Sequence, residues 1–358
     1  MKKRNVSVEF ARLIACIVVI LCHCNFFAVY APEDEFLHRV MISLLADSVG
    51  MFWLITGFYF LQAKSYGKLW LGTLKKVILP GLAIILFTRF FTDPIINGVP
   101  FSENPALQPE EIKRFFLSLI TFRETGIYWY VFAYILVVLI QPVLKKLGEW
   151  LDRGAVRQLL FVIITLVLLI ANDFSNNGLC HFSYSGIFVL IPAAIEVMWG
   201  HIIYQNRKWL MSLTMLVAQL ILFVGVLMGR VAVYSYMLKQ DMSSHVVSWY
   251  TGFGFVMATL VTLICMQIVR EDREHSFDDA IRYPAGYTYP VYLIHPFLLS
   301  FARVRGLFKA MSEWLSNIFS TGVSAVFSVL IATLIFYFSS LVIAMALRWL
   351  CNKCFKTT

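Results

Sequence analysis

Long apolar stretches separated by short polar ones set the pattern of this chain. Windows long enough to cross a bilayer as helices fall at about 8–29, 40–62, 74–91, 127–147, 155–171, 184–204, 209–229, 246–269, 286–302 and 321–350, since a spanning helix needs roughly 20 apolar residues. The pattern predicts an all-α membrane protein, a polytopic bundle of about ten transmembrane helices. The third window is short, and the ninth carries Pro290 and Pro296. No stretch reads as an appended soluble domain, so residues 1–358 are expected to form a single transmembrane domain.

The longest polar interruption, about 92–126, holds Pro94, Pro100, Pro105 and Pro109 and then "PEEIKRFFLSLI". There Ile112, Phe115, Phe116, Leu119 and Ile120 recur at helical spacing, and Glu110 and Glu111 suit a helix start. This predicts an amphipathic helix, either lying on the outer interface or packed on the bundle. No internal repeat is visible, which weighs against transporter folds built from repeats.

Composition agrees with the pattern. The chain is 59% hydrophobic and 14% charged, against roughly 25% charged in a soluble domain. Its net charge of +9 fits cationic loops that orient spans; nothing points to nucleic acid. With the N-terminus inside, 19 Lys and Arg fall on the inner side and nine on the outer. That bias predicts cytoplasmic N- and C-termini and an even number of spans. The basic start "MKKRNVSVEFARL" suggests a signal peptide, but the apolar run after it is long enough to span and reads as a retained helix. The seven cysteines are scattered, and Cys351 and Cys354 form a lone C-x-x-C too sparse for a metal site. No metal is expected.

Ionisable groups inside spans are costly and usually face a cavity or a partner. Arg12, His23, Asp47, Arg89, Glu196, His201 and His295 are such groups. Arg89, Glu196 and His201 lie near span ends, placed to snorkel to the interface. Arg12 and His23 are eleven residues apart in "RLIACIVVILCH". At about 100° per residue they share one face to within roughly 20°, and at about 1.5 Å rise they stand roughly 16 Å apart. They cannot pair. Either they serve one elongated ligand or channel, or Arg12 snorkels and His23 bonds a neighbouring helix. His295, between Pro290 and Pro296, is a second buried histidine whose prolines free backbone carbonyls. It marks a polar chamber or a kinked helix with a bonded core histidine.

These residues resemble the motifs of the acyltransferase-3 family of integral membrane acyltransferases, whose bacterial members O-acylate surface glycans. The first helix of that family carries Arg, ten residues, then His, as in "RLIACIVVILCH". The "FWLITGF" at 52–58 resembles its second-helix motif, with Thr56 for the usual Ser. "IYWYVFAYILVVLIQP" resembles the fourth, with Trp129 and Pro142 in place but Ile127 for a leading His. "EVMWGHII", with Gly200, resembles the sixth, and "YLIHP" the ninth. The matches run in order from residue 12 to residue 296. Two departures stand out. Gly50 replaces the family's acid before the second-helix motif, the nearest acid being Asp47, and "LKKVILP" replaces an Arg-rich stretch.

The resemblance implies an O-acyltransferase in the cell membrane, inner or plasma. It implies acetyl-CoA or another acyl-CoA as donor and a glycan or lipid-linked sugar as acceptor. It implies a phosphate-binding mouth at Arg12, Lys75 and Lys76, and His23 as general base or transient acyl carrier. Asp47 would fix the imidazole tautomer. His295 and Trp129 would line the chamber. The rival reading is a carrier or exporter of a glycan or small polar solute, using the same polar face without chemistry.

Overall fold

The computed structural model describes residues 5–27, 40, 43–44, 48–121, 128–176, 190–239, 252–270 and 276–355. Among these, regular structure is helical throughout and no strand occurs. The helices are α1 (Val6–Phe27), α2 (Ser48–Phe60), α3 (Tyr66–Thr73), α4 (Leu79–Thr92), α5 (Pro109–Thr121), α6 (Trp129–Leu139), α7 (Gln141–Leu151) and α8 (Ala155–Asn176). They continue as α9 (Leu190–Gln205), α10 (Arg207–Leu210), α11 (Leu213–Lys239), α12 (Phe253–Ile268), α13 (Asp278–Ala285), α14 (Thr288–Val304), α15 (Leu307–Ser316) and α16 (Thr321–Phe355).

Among the described residues, four helical runs are long and apolar enough to cross a membrane: Val6–Cys24, Tyr66–Asn97, Leu213–Val233 and Gly322–Lys353. The number rises to six if each of two bent pairs is one span. Val49–Phe60, Ala155–Ala171 and Phe253–Ile268 are shorter apolar helices. Sequence windows and helices differ in instructive places. The 127–147 window breaks at Ile140, where α6 and α7 meet at 66°. Pro142 sits in the first turn of α7 and has no N–H to extend the preceding helix. The helix of the ninth window, α14, ends just before Gly306, whose φ of 67° is left-handed, and α15 leaves at 67°. The short third window is the middle of the helical run Tyr66–Asn97. That run passes through a π segment at Leu74–Ile78 just before Pro80. A proline ring crowds the carbonyl four residues back, and widening into a π turn relieves it.

The chain forms two compact units. The first comprises Met1–Cys22, Tyr30–Lys64 and Leu139–Gly286. In it Asn5 caps α1, its side-chain oxygen accepting from the Ser7 and Val8 N–H groups at 3.0 and 3.4 Å. The fully buried Ala11 and Ala15 let α1 pack closely against this unit's core. Between membrane helices there is no hydrophobic drive, so small residues that bring backbones together carry the packing. Gly57 of α2 lies against the Val197 carbonyl, and Gly200 of α9 against the Leu54 carbonyl. Around that crossing sit Leu54, Phe58, Trp199 and Phe255, with the Trp199 and Phe255 rings edge to face at 4.9 Å. The Trp199 indole donates to Thr165 Oγ1 at 2.9 Å. The Gln267 amide donates to Gln219 Oε1 at 2.6 Å, and both glutamines donate to the Leu210 carbonyl.

The second unit comprises His23–Val29, Ser65–Val138 and Tyr287–Thr358. Here α14 packs on α4 and α16. Gly81 makes room for α14 and α6: a Cβ there would meet Tyr289 Oη and a Val131 methyl, each at 3.0 Å. The predicted amphipathic helix is α5, and one edge of it packs on this unit. Phe115 is buried against Phe90, ring centroids 6.0 Å apart, while Phe116 and Leu117 stay exposed.

Candidate functional site

The two histidines singled out in the sequence meet. His23, on the last turns of α1, and His295, on α14, both belong to the second unit. His23 Nδ1 lies 2.7 Å from His295 Nε2. The rings are within 13° of parallel, with centroids 5.0 Å apart. That separation is about an N···N hydrogen bond plus two ring radii, so the rings meet edge to edge, nearly coplanar. His295 is completely buried, and His23 is half-buried. On its far side, His295 Nδ1 faces the Val291 carbonyl at 3.2 Å.

The local sequence explains this placement. Tyr289, Tyr292 and His295 follow at three-residue steps and climb one side of α14. Pro296 follows immediately and cannot donate to the carbonyl four residues back, that of Tyr292. The Tyr292 carbonyl also faces the His295 ring. The His–Pro dipeptide thus surrounds the imidazole with carbonyl acceptors.

A tyrosine cluster surrounds the histidine pair. The Tyr292 ring lies 5.9 Å from His295 and 6.4 Å from Tyr289. Tyr130 of α6 meets Tyr292 edge-on at 5.8 Å. Tyr128 Oη donates to the Leu293 carbonyl at 3.3 Å and contacts Thr88 Oγ1 at 3.1 Å. The Tyr289 hydroxyl donates to the Val77 carbonyl in the π segment at 2.6 Å. This bond fastens the turn that carries Lys75 and Lys76 to the helix that carries His295. An apolar wall with phenol and imidazole groups on it can hold a neutral polar substrate and move a proton.

The other sequence candidates fall as follows. Arg12 forms an ion pair with Glu9 one turn earlier on α1, at 2.6 Å, with the Glu9 side chain only 4% exposed. The guanidinium offers five N–H donors, so one carboxylate does not exhaust it. Lys75 and Lys76 are exposed on the π segment of the second unit. Trp129 opens α6 and meets Tyr130 edge-on at 6.3 Å; its neighbours Tyr128 and Tyr130 are the residues that reach α14. Asp47 lies outside the described residues. Arg89 pairs with Glu111 of α5 at 2.9 Å. Glu196 and His201 do not snorkel: both are buried, and His201 Nε2 bonds Asp152 at 2.9 Å. Burial in the first unit wins because loop residue Asp152 folds back to partner His201. Among the described residues no three metal-ligating side chains gather.

Sequence reasoning missed Glu9, Tyr128, Tyr289 and Tyr292. For Glu9 the signal was present, an acid three residues before Arg12. For the tyrosines it was their step of three toward His295.

The apolar helices mark a membrane protein, and two histidines meet among them. The chain matches the family model for the acyltransferase domain of acyltransferase-3 over residues 5–349, nearly its whole length. It belongs to that family, and is thus a membrane acyltransferase by kinship. Neither the curated proteins nor the solved structures offer a match.

Proposed function

We propose that this protein transfers an acetyl or other acyl group from acyl-CoA to a hydroxyl of a surface glycan or lipid-linked sugar. It does so as one transferase domain in the cell membrane, with about ten spans and both termini cytoplasmic. His23 is the general base, Arg12, Lys75 and Lys76 receive the phosphates of the donor, and Trp129 helps to line the chamber. Asp47 is the acidic group of the second-helix approach, although His295 already occupies His23 Nδ1.

The observation that carries this reading is the edge-to-edge contact of His23 with the fully buried His295. A half-buried imidazole whose one nitrogen is engaged presents the other to a substrate. A neutral imidazole nitrogen with a lone pair can take a proton from a hydroxyl, as a general base must. Purified protein in lipid nanodiscs, given acetyl-CoA and a glycan acceptor, is expected to release free thiol. His23→Ala is expected to abolish that release while leaving the melting temperature unchanged within a few degrees. Thiol release that survives His23→Ala, or counterflow of solute with no dependence on acyl-CoA, overturns the reading.

A further inference from the structure

The contacts of His295 bear on where the proton of His23 sits. A backbone carbonyl can only accept, so the 3.2 Å contact with the Val291 carbonyl places a hydrogen on His295 Nδ1. A neutral imidazole carries one N–H, so His295 Nε2 is then a lone pair. That lone pair faces His23 Nδ1 at 2.7 Å, a distance that requires a hydrogen between them. The donor is therefore His23 Nδ1–H, and His23 Nε2 is left with its lone pair. The alternative, a doubly protonated His295, would put a cation at a completely buried position. Its ring neighbours there are an imidazole and the phenol of Tyr292, and neither supplies the anion a buried charge needs.

We infer that His295 is a positioning residue: it holds the proton of His23 on Nδ1, so that Nε2 of His23 is the atom that takes the acceptor's proton. The inference rests on the acyl-transfer reading above. The step balances as follows. The hydroxyl proton of the acceptor passes to His23 Nε2 while its oxygen attacks the thioester carbonyl. A C–O bond forms, the C–S bond breaks, and the departing thiolate takes the proton back from Nε2. Ester, thiol and neutral His23 remain. While His23 is cationic, its Nδ1–H bond to His295 becomes charge-assisted, which strengthens it as charge develops. The same orientation applies if His23 carries the acyl group, since Nδ1 is occupied and only Nε2 can attack.

The carbonyl oxygen of a glutamine reaches about as far as Nε2 of a histidine, whereas an asparagine reaches only about as far as Nδ1. His295→Gln is therefore expected to keep the acceptor for His23 and hold kcat within about tenfold of wild type. His295→Asn and His295→Leu are expected to lose about 100-fold or more in kcat, the scale of general-base catalysis, with KM for acyl-CoA unchanged. Nitrogen-15 NMR of histidine-labelled protein is expected to show His23 protonated at Nδ1 in wild type and His295→Gln, and a mixed tautomer in His295→Leu. A kcat for His295→Leu equal to wild type, a Gln variant as slow as Leu, or a wild-type His23 protonated at Nε2 overturns the inference. The NMR measurement needs no turnover. It decides the proton position even where thiol release independent of His23 has removed the acyl-transfer reading.

Discussion

Four glycines in apolar helices make opposite predictions from the same substitution. A Cβ on Gly200 would lie 2.8 Å from the Leu54 carbonyl carbon and 2.9 Å from its Cα, with the oxygen nearer still. A Cβ on Gly57 would lie 2.9 Å from the Val197 carbonyl carbon and 3.0 Å from Gly200 Cα. These neighbours are backbone, so no rotamer change relieves them. Carbon atoms pack at about 3.5–4.0 Å, so α2 and α9 must part by about 1 Å, a gap that forfeits roughly a quarter to a half of each contact well. Spread over the buried side chains Leu54, Phe58 and Trp199, the loss is about 2–3 kcal/mol for each Gly→Ala change, the upper part of the overpacking range. In contrast, Gly225 and Gly229 of α11 have nothing within 4 Å of a built Cβ. Their alanine variants should stay within about 0.5 kcal/mol of wild type. Thermal unfolding in one detergent, followed by tryptophan fluorescence, reads all four. At about 2–4 °C per kcal/mol, Gly57→Ala and Gly200→Ala should melt roughly 4–12 °C low. If they melt together with the Gly225 and Gly229 variants, the close crossing of α2 and α9 is wrong.

Two further outcomes follow from buried polar contacts. Asn104 is 1% exposed, donates to the Phe90 carbonyl at 2.8 Å and accepts from Ala106 N–H at 3.0 Å, so Asn104→Ala should cost about 1–3 kcal/mol in unfolding and speed proteolysis of the 98–108 loop. Arg12→Ala removes the cation 2.6 Å from the buried Glu9 carboxylate and should destabilise by about 1–3 kcal/mol, less than breaking a fully buried pair because Arg12 is partly exposed. Adding Glu9→Gln should restore stability but not acyl-CoA affinity. If the double variant also regains affinity, measured by isothermal titration, then Arg12 serves the fold and not the donor.

The helical class and the membrane were legible because apolar length is a local property. So was the face shared by Arg12 and His23, which helix geometry alone dictates. The contact of His23 with His295 was not, because 272 residues separate them and no local period reports a tertiary meeting. The motif placed His295 near a polar chamber; the fold made it the hydrogen-bond partner. The His201–Asp152 bond likewise joins residues 49 apart, which is why His201 read as a snorkelling group. Glu9 was different. It lies on the same helix at the spacing that pairs charges, and the sequence alone could have supplied it. Helix limits failed where proline acted at a distance: Pro142 broke one window, and the π segment before Pro80 let another run on.

The run Tyr66–Asn97 has 32 residues, about 48 Å at the helical rise, against about 30 Å of hydrocarbon. Its first turns carry Lys68 and the exposed Lys75 and Lys76 and extend past the hydrocarbon, so a bilayer of different thickness shifts or tilts the whole helix. It is tied to α14 through Val77 and Tyr289, so a change in its tilt pulls directly on the helix that bears His295. Acyl-chain length of the surrounding lipid thereby becomes a variable of the histidine pair.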